Sequence, residues 1–101
     1  MINLNNIDNV NWENTKIAIL GAGISGIGAT KLAMHLKAEI LLSDVQKTNL
    51  DILENDKFQY ESSGHSNRIL ESDLIIKSPG IPNEINIIKR SQEKNIPIVS
   101  E

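Results

Sequence analysis

Apolar residues fall along this chain in short blocks separated by polar and glycine-rich breaks. Residues 16–20 and 39–43 are nearly continuous runs of Ile, Leu and Ala, the pattern of parallel strands covered on both faces. Between them Ala29, Ala33 and Leu36 recur at i, i+4 and i+7 with Leu32 beside them. That period predicts an amphipathic helix over 24–37. Thr48 and Asp51 form a capping pair for a short helix through about residue 55, and residues 57–60 read as a short third strand. Ser66 is placed to cap a single helical turn through Leu70, ahead of a fourth strand over 73–77. Asn83 is placed to cap a helix over 84–94 that Asn95 ends. A fifth strand over 96–100 contains Pro97, which has no N–H to give a ladder and so belongs at a sheet edge.

This βαβα alternation with short connections predicts an α/β fold. It is a Rossmann-like, doubly wound, five-stranded parallel sheet in the order 3-2-1-4-5, with 16–20 at its centre. At 101 residues the chain has room for one such domain. Residues 16–101 make up the domain and residues 1–15 an Asn-rich lead-in, whose Trp12 is expected to pack the end of the sheet. His35, between Met34 and Leu36, is expected at the surface.

Charge narrows the partners. A net charge of −3 and a pI near 5.3 leave no broad basic footprint for nucleic acid. No apolar run approaches the length of a membrane span, and the start Met-Ile-Asn-Leu-Asn-Asn lacks the basic and apolar regions of a signal peptide. The expectation is a soluble, cytoplasmic protein. The absence of cysteine excludes disulfides, thiolate metal sites and Cys nucleophiles.

The chemistry concentrates where the first strand ends. Residues 21–26 read GAGISG, so Gly21, Gly23 and Gly26 have the G-x-G-x-x-G spacing between a predicted strand and a predicted helix. Such a turn brings a diphosphate close to the backbone, and the free N–H groups of the helix's first turn attract it. Asp44 closes the second strand ~20 residues on, as the dinucleotide fingerprint expects. It offers a carboxylate to the ribose hydroxyls of NAD, so an NAD-binding regulatory module is one reading. In a doubly wound sheet ligands sit outside the carboxyl ends of the strands. The loops over 21–26, 44–46, 62–65 and 78–82 therefore form the candidate site. In the third of these, His65 either stabilises phosphate or finishes a turn, and the turn is the favoured reading.

With those loops located, the chain resembles the N-terminal domain of the Mur ligase family, in particular of the members that add D-glutamate to UDP-N-acetylmuramoyl-L-alanine. The resemblance spans about residues 16–101. It rests on KIAILGAGISGIGATKLA, on Ser43-Asp44, on DLIIKSPGIP at 73–82 and on the closing NIPIVSE. It implies a domain that holds the uridine diphosphate end of the muramoyl substrate and not NAD. Gly21, Gly23 and Gly26 would form the turn, with Ile24 and Ser25 at the diphosphate. Asp44, Val45 and Gln46 would surround the uracil, and Gly80 within Ser78-Pro79-Gly80 would lie against the nucleoside. Ser25 has the alternative of bonding its own backbone. Family members often carry a hydroxyl or basic residue just after the aspartate. Val45 and Gln46 stand there instead, which leaves backbone contacts open.

The resemblance also implies what this chain does not carry. There is no G-x-x-x-x-G-K-[ST] phosphate loop in the sequence and no carboxylate set arranged for magnesium. No cofactor is expected in this chain. ATP and Mg2+ belong, by resemblance, to a central domain that it lacks, and D-glutamate to the central and C-terminal domains. The expectation is a domain that binds substrate and does not ligate.

Overall fold

The computed structural model describes residues 11–21, 24–44, 57–62 and 64–100, and of residues 24–27 the backbone only. A short 3-10 turn at Trp12–Asn14 leads into β1 (Lys16–Leu20), followed by α1 (Ile24–His35), β2 (Glu39–Ser43) and β3 (Phe58–Glu61). A second 3-10 turn (Asn67–Glu71), β4 (Leu74–Lys77), α2 (Asn86–Glu93) and β5 (Ile98–Ser100) complete the order. The five strands form one parallel sheet in the order β3-β2-β1-β4-β5, with β1 central as its apolar run predicts. The helix expected over 48–55 lies outside the described residues.

The alternation of side chains along β1 divides the core in two. Ile17 and Ile19 face Ala33 of α1, together with Leu42 and Phe58. Ala18 and Leu20 face the opposite way, toward Ile69, Ile87 and Ile88. Both faces are therefore apolar, and right-handed crossovers place α1 on one and α2 on the other. Trp12 packs half-buried against the α1-side core, as expected, and His35 is exposed. Leu32 departs from its expected place beside the buried stripe. It is 62% exposed, on the rim of an apolar groove that also touches Trp12, Leu36, Ile76 and Val99.

Both helices end in the same way, and this sets their lengths. Lys37 takes a left-handed φ of 64°, its N–H bonds Met34 O and the N–H of Ala38 bonds Ala33 O. That is a Schellman cap, which stops α1 at His35 and turns the chain into β2. Asn95 repeats it at φ 59°, with Asn95 N–H on Gln92 O and Ile96 N–H on Ser91 O. The predicted stop at Asn95 is realised through this geometry. The predicted start of α2 is not, because the helix opens at Asn86 and its N-cap is Ile85, with no side-chain cap. Ile85 stays extended so that its side chain joins the α2-side core, and its carbonyl accepts from Ile88 and Lys89. Burial of an apolar residue outweighs the capping preference of Asn83 here.

The later strands are displaced or shortened by a residue or two. β3 sits one residue later than expected and β4 begins one later. β5 begins at Ile98 because Pro97 contributes only its carbonyl, accepting from Ile75 N–H at 2.9 Å. It lies at the edge, as its proline requires. Ser66 caps the turn at Asn67–Glu71 as predicted, its Oγ accepting from Arg68 N–H at 3.3 Å.

Candidate functional site

The carboxyl end of the sheet is stitched together by backbone hydrogen bonds. Gly21, directly after β1, donates its N–H to Ser43 O at 2.8 Å, and Ser78 N–H reaches Leu20 O at 2.9 Å. Gly21 has φ +100°, and a Cβ built on it would stand 2.9 Å from Ser78 Cβ. Only glycine allows the turn and the 78–82 loop to approach this closely. α1 starts at Ile24, so its first turn contains Ser25 and Gly26, as the motif predicts. Gly23, Val45 and Gln46 lie outside the described residues.

Ser78-Pro79-Gly80-Ile81 forms a tight turn closed by Ile81 N–H on Ser78 O at 3.0 Å. Pro79 and Gly80 stand exposed at its tip and Ser78 is half-buried. Lys77, only 7% exposed, reaches from the end of β4 to Ile81 O at 3.0 Å. This buried ammonium holds the loop from below. Its role was not anticipated from the sequence, where it reads only as the last residue of an apolar strand.

Asp44 is held by the loop that follows β3. Its N–H donates to Glu61 O at 3.1 Å, and Gly64 N–H donates to Asp44 O at 3.3 Å. Beneath it lies a polar network. Ser43 Oγ is 2.6 Å from Glu61 Oε2 and 2.7 Å from His65 Nδ1. Ser66 adds its N–H to Glu61 Oε2 at 2.8 Å and its hydroxyl to Oε1 at 2.5 Å, and Arg68 stands 3.9 Å from Oε1. Burial pushes the Glu61 carboxyl up, but the bonds from Ser43 and Ser66 and the Arg68 charge together hold it below its ordinary value. Burial lowers His65 as well, with Glu61 and Asp44 pulling it partly back.

Ser43 and Glu61 were not among the predicted site residues. Both close adjacent parallel strands, and only the β2–β3 register, which the sequence alone does not specify, pairs them directly. The described loops thus bring Gly21 beside Ser78, and Asp44 beside His65, at one end of the sheet. Among the described residues no group of three or more His, Cys, Asp or Glu is placed to hold a metal ion. No helix among them is long and apolar enough to cross a membrane.

Comparison with known proteins gives the family of the chain. Residues 16–87 match the family model described as the MurD N-terminal domain. A UDP-N-acetylmuramoylalanine--D-glutamate ligase of Elusimicrobium minutum is 34% identical over 90 residues, covering 89% of this chain and 20% of the relative. Enzymes of the same name from Christiangramia forsetii and Bacteroides thetaiotaomicron are each 38% identical over 90 residues, covering 85% of this chain and 20% of the relative. The chain therefore spans about a fifth of the length of these ligases and corresponds to one domain of them. By the extent of the family match, which takes in β1 through the start of α2, the chain belongs to the MurD N-terminal domain family.

Proposed function

We propose that this domain holds the uridine diphosphate end of UDP-N-acetylmuramoyl-L-alanine, within a longer cytoplasmic ligase that joins D-glutamate to that substrate with ATP hydrolysis. The observation that carries the reading is the convergence of three features at one end of the sheet: the Gly21 turn into α1, Asp44 at the end of β2, and the Ser78–Ile81 turn. The helix N-terminus suits a diphosphate. By the family resemblance, Asp44 would meet the uracil and the exposed Gly80 would lie against the nucleoside. ATP, Mg2+ and D-glutamate are assigned to the other domains, whose groups must stabilise an acyl phosphate and its attack by the amine. The role of this chain is to anchor the substrate.

The test is a titration of the 101-residue chain with UDP and, separately, with NAD, followed by amide NMR shifts. UDP is expected to bind weakly, because one domain encloses little of the substrate, with shifts at 23–26, 44–46 and 78–80. NAD binding clearly tighter than UDP through the same loops would overturn the reading in favour of an NAD-binding regulatory module.

A further inference from the structure

The Ser43–Glu61–His65 cluster contains the residue types of a nucleophilic triad, but its bonding is of another kind. Ser43 is fully buried. Glu61, held ionised by its partners, can only accept, so the Ser43 hydroxyl must spend its single hydrogen on Glu61 Oε2 at 2.6 Å. The 2.7 Å contact between Ser43 Oγ and His65 Nδ1 then requires Nδ1 to be the donor. Neutral His65 is thereby fixed as its Nδ1–H tautomer, and Nε2, on the ring edge away from Ser43, carries a lone pair.

His65 is half-buried in the loop whose Gly64 bonds Asp44, and the Asp44 charge acts on it directly. One acceptor, His65 Nε2, thus stands in the loop bound to Asp44 at the end of β2. Such an acceptor is complementary to hydrogen-bond donors. Phosphate offers none, whereas a nucleoside offers its ribose hydroxyls and, in a pyrimidine, N3–H. We infer that His65 reads the nucleoside of the bound ligand, with Nε2 accepting a hydrogen bond from a ribose hydroxyl or the base N–H while Ser43 and Glu61 fix the ring's tautomer and position. This rests on the nucleotide-binding reading above, and assigns His65 to the nucleoside and not to the phosphates. Among the described residues the charged groups around it are Glu61 from β3, Asp44 from the end of β2 and, beyond Glu61, Arg68 from the 3-10 turn.

Two measurements test it. In long-range 1H–15N spectra of the 101-residue chain at pH 7.5, His65 should show the Nδ1–H tautomer, and saturation with UDP should shift its Nε2 resonance. An Nε2–H tautomer, or an Nε2 resonance unmoved at saturation, would overturn the inference with no variant needed. His65→Asn keeps a donor where Nδ1 stands and removes Nε2, so it should fold and bind UDP about five- to tenfold more weakly, the loss of one hydrogen bond. Repeating the pair of titrations with 2′-deoxy-UDP, 3′-deoxy-UDP and N3-methyl-UDP separates the donors. The penalty should vanish for the analogue that lacks the donor His65 reads. Equal UDP affinity of variant and wild type, or a penalty retained with all three analogues, rejects the role of His65 alone. Failure of the wild-type chain to bind UDP at all rejects the nucleotide reading, and this inference with it.

Discussion

A methyl group on Gly21 would meet Ser78 Cβ at 2.9 Å from a backbone at φ +100°, whereas one on Gly80 would find its nearest neighbour, Ser78 Oγ, at 3.9 Å. The two glycines therefore carry separable demands. Gly21→Ala is expected to destabilise the domain by about 2–3 kcal/mol, combining backbone strain with displacement of the 78–82 loop. Gly80→Ala should change stability by less than about 0.5 kcal/mol, because it adds a surface methyl to open space. If the nucleoside lies against Gly80, that same methyl should weaken UDP binding. Urea unfolding and UDP titration of both variants check this. A Gly80→Ala chain that is stable and binds UDP as wild type does would remove Gly80 from the site. At this scale the glycine-loop residues could be named from the sequence, because their spacing encodes a backbone requirement. Lys77 and Ser43 could not, since their value lies in which carbonyl or carboxylate the fold brings within reach.

Among the elements, the two Schellman caps expose an untapped source of stability. Lys37 holds a left-handed φ of 64° without being glycine, a conformation that costs an L-residue about 1–2 kcal/mol. Its carbonyl accepts from Lys57 Nζ at 3.1 Å, a contact that belongs to the backbone and survives substitution. Lys37→Gly should therefore stabilise the domain by about 0.5–1 kcal/mol after glycine's own entropy cost, raising Tm by about 2–8 °C. A fall in Tm by thermal unfolding would show that the Lys37 side chain does more than occupy the cap. The same elements show what sequence can and cannot specify. β1 and β2 were legible because their apolar runs are long enough to be read without context, and from them followed the strand order and the place of the site. The start of α2 was not legible, because Asn83 and Ile85 issue competing instructions that only the α2-side core decides. The Ser43–Glu61–His65 network was hidden for a related reason. Its members are separated by 18 and 22 positions in sequence and meet only when the β2–β3 register is known.

For the molecule as a whole, this network makes stability depend on pH with a definite sign. Glu61 ties β3 to Ser43 of β2 and to Ser66 at the head of the 3-10 turn, so it joins three elements at the carboxyl end of the sheet. Its pKa is lowered in the fold from 4.5. The unfolded chain takes up that proton first, so the stabilisation is complete above about pH 4.5 and is lost as pH falls through the folded value. His65 is also lowered in the fold, from 6.5. Here too the unfolded state binds the proton more readily, so the stability associated with neutral His65 is present above pH 6.5 and declines as pH falls toward the folded pKa. The two groups act in the same direction and in successive windows. Urea unfolding between pH 8 and pH 4 should therefore give a plateau above about pH 7, a first decline beginning near 6.5 and a second below 4.5. His65→Asn should abolish the first decline and leave the second, because Asn does not titrate and Glu61 keeps its bonds from Ser43 and Ser66. Stability that rises between pH 7 and pH 5.5 would mean that protonated His65 is the form the fold prefers. The acceptor assigned to its Nε2 would then be absent from the resting domain.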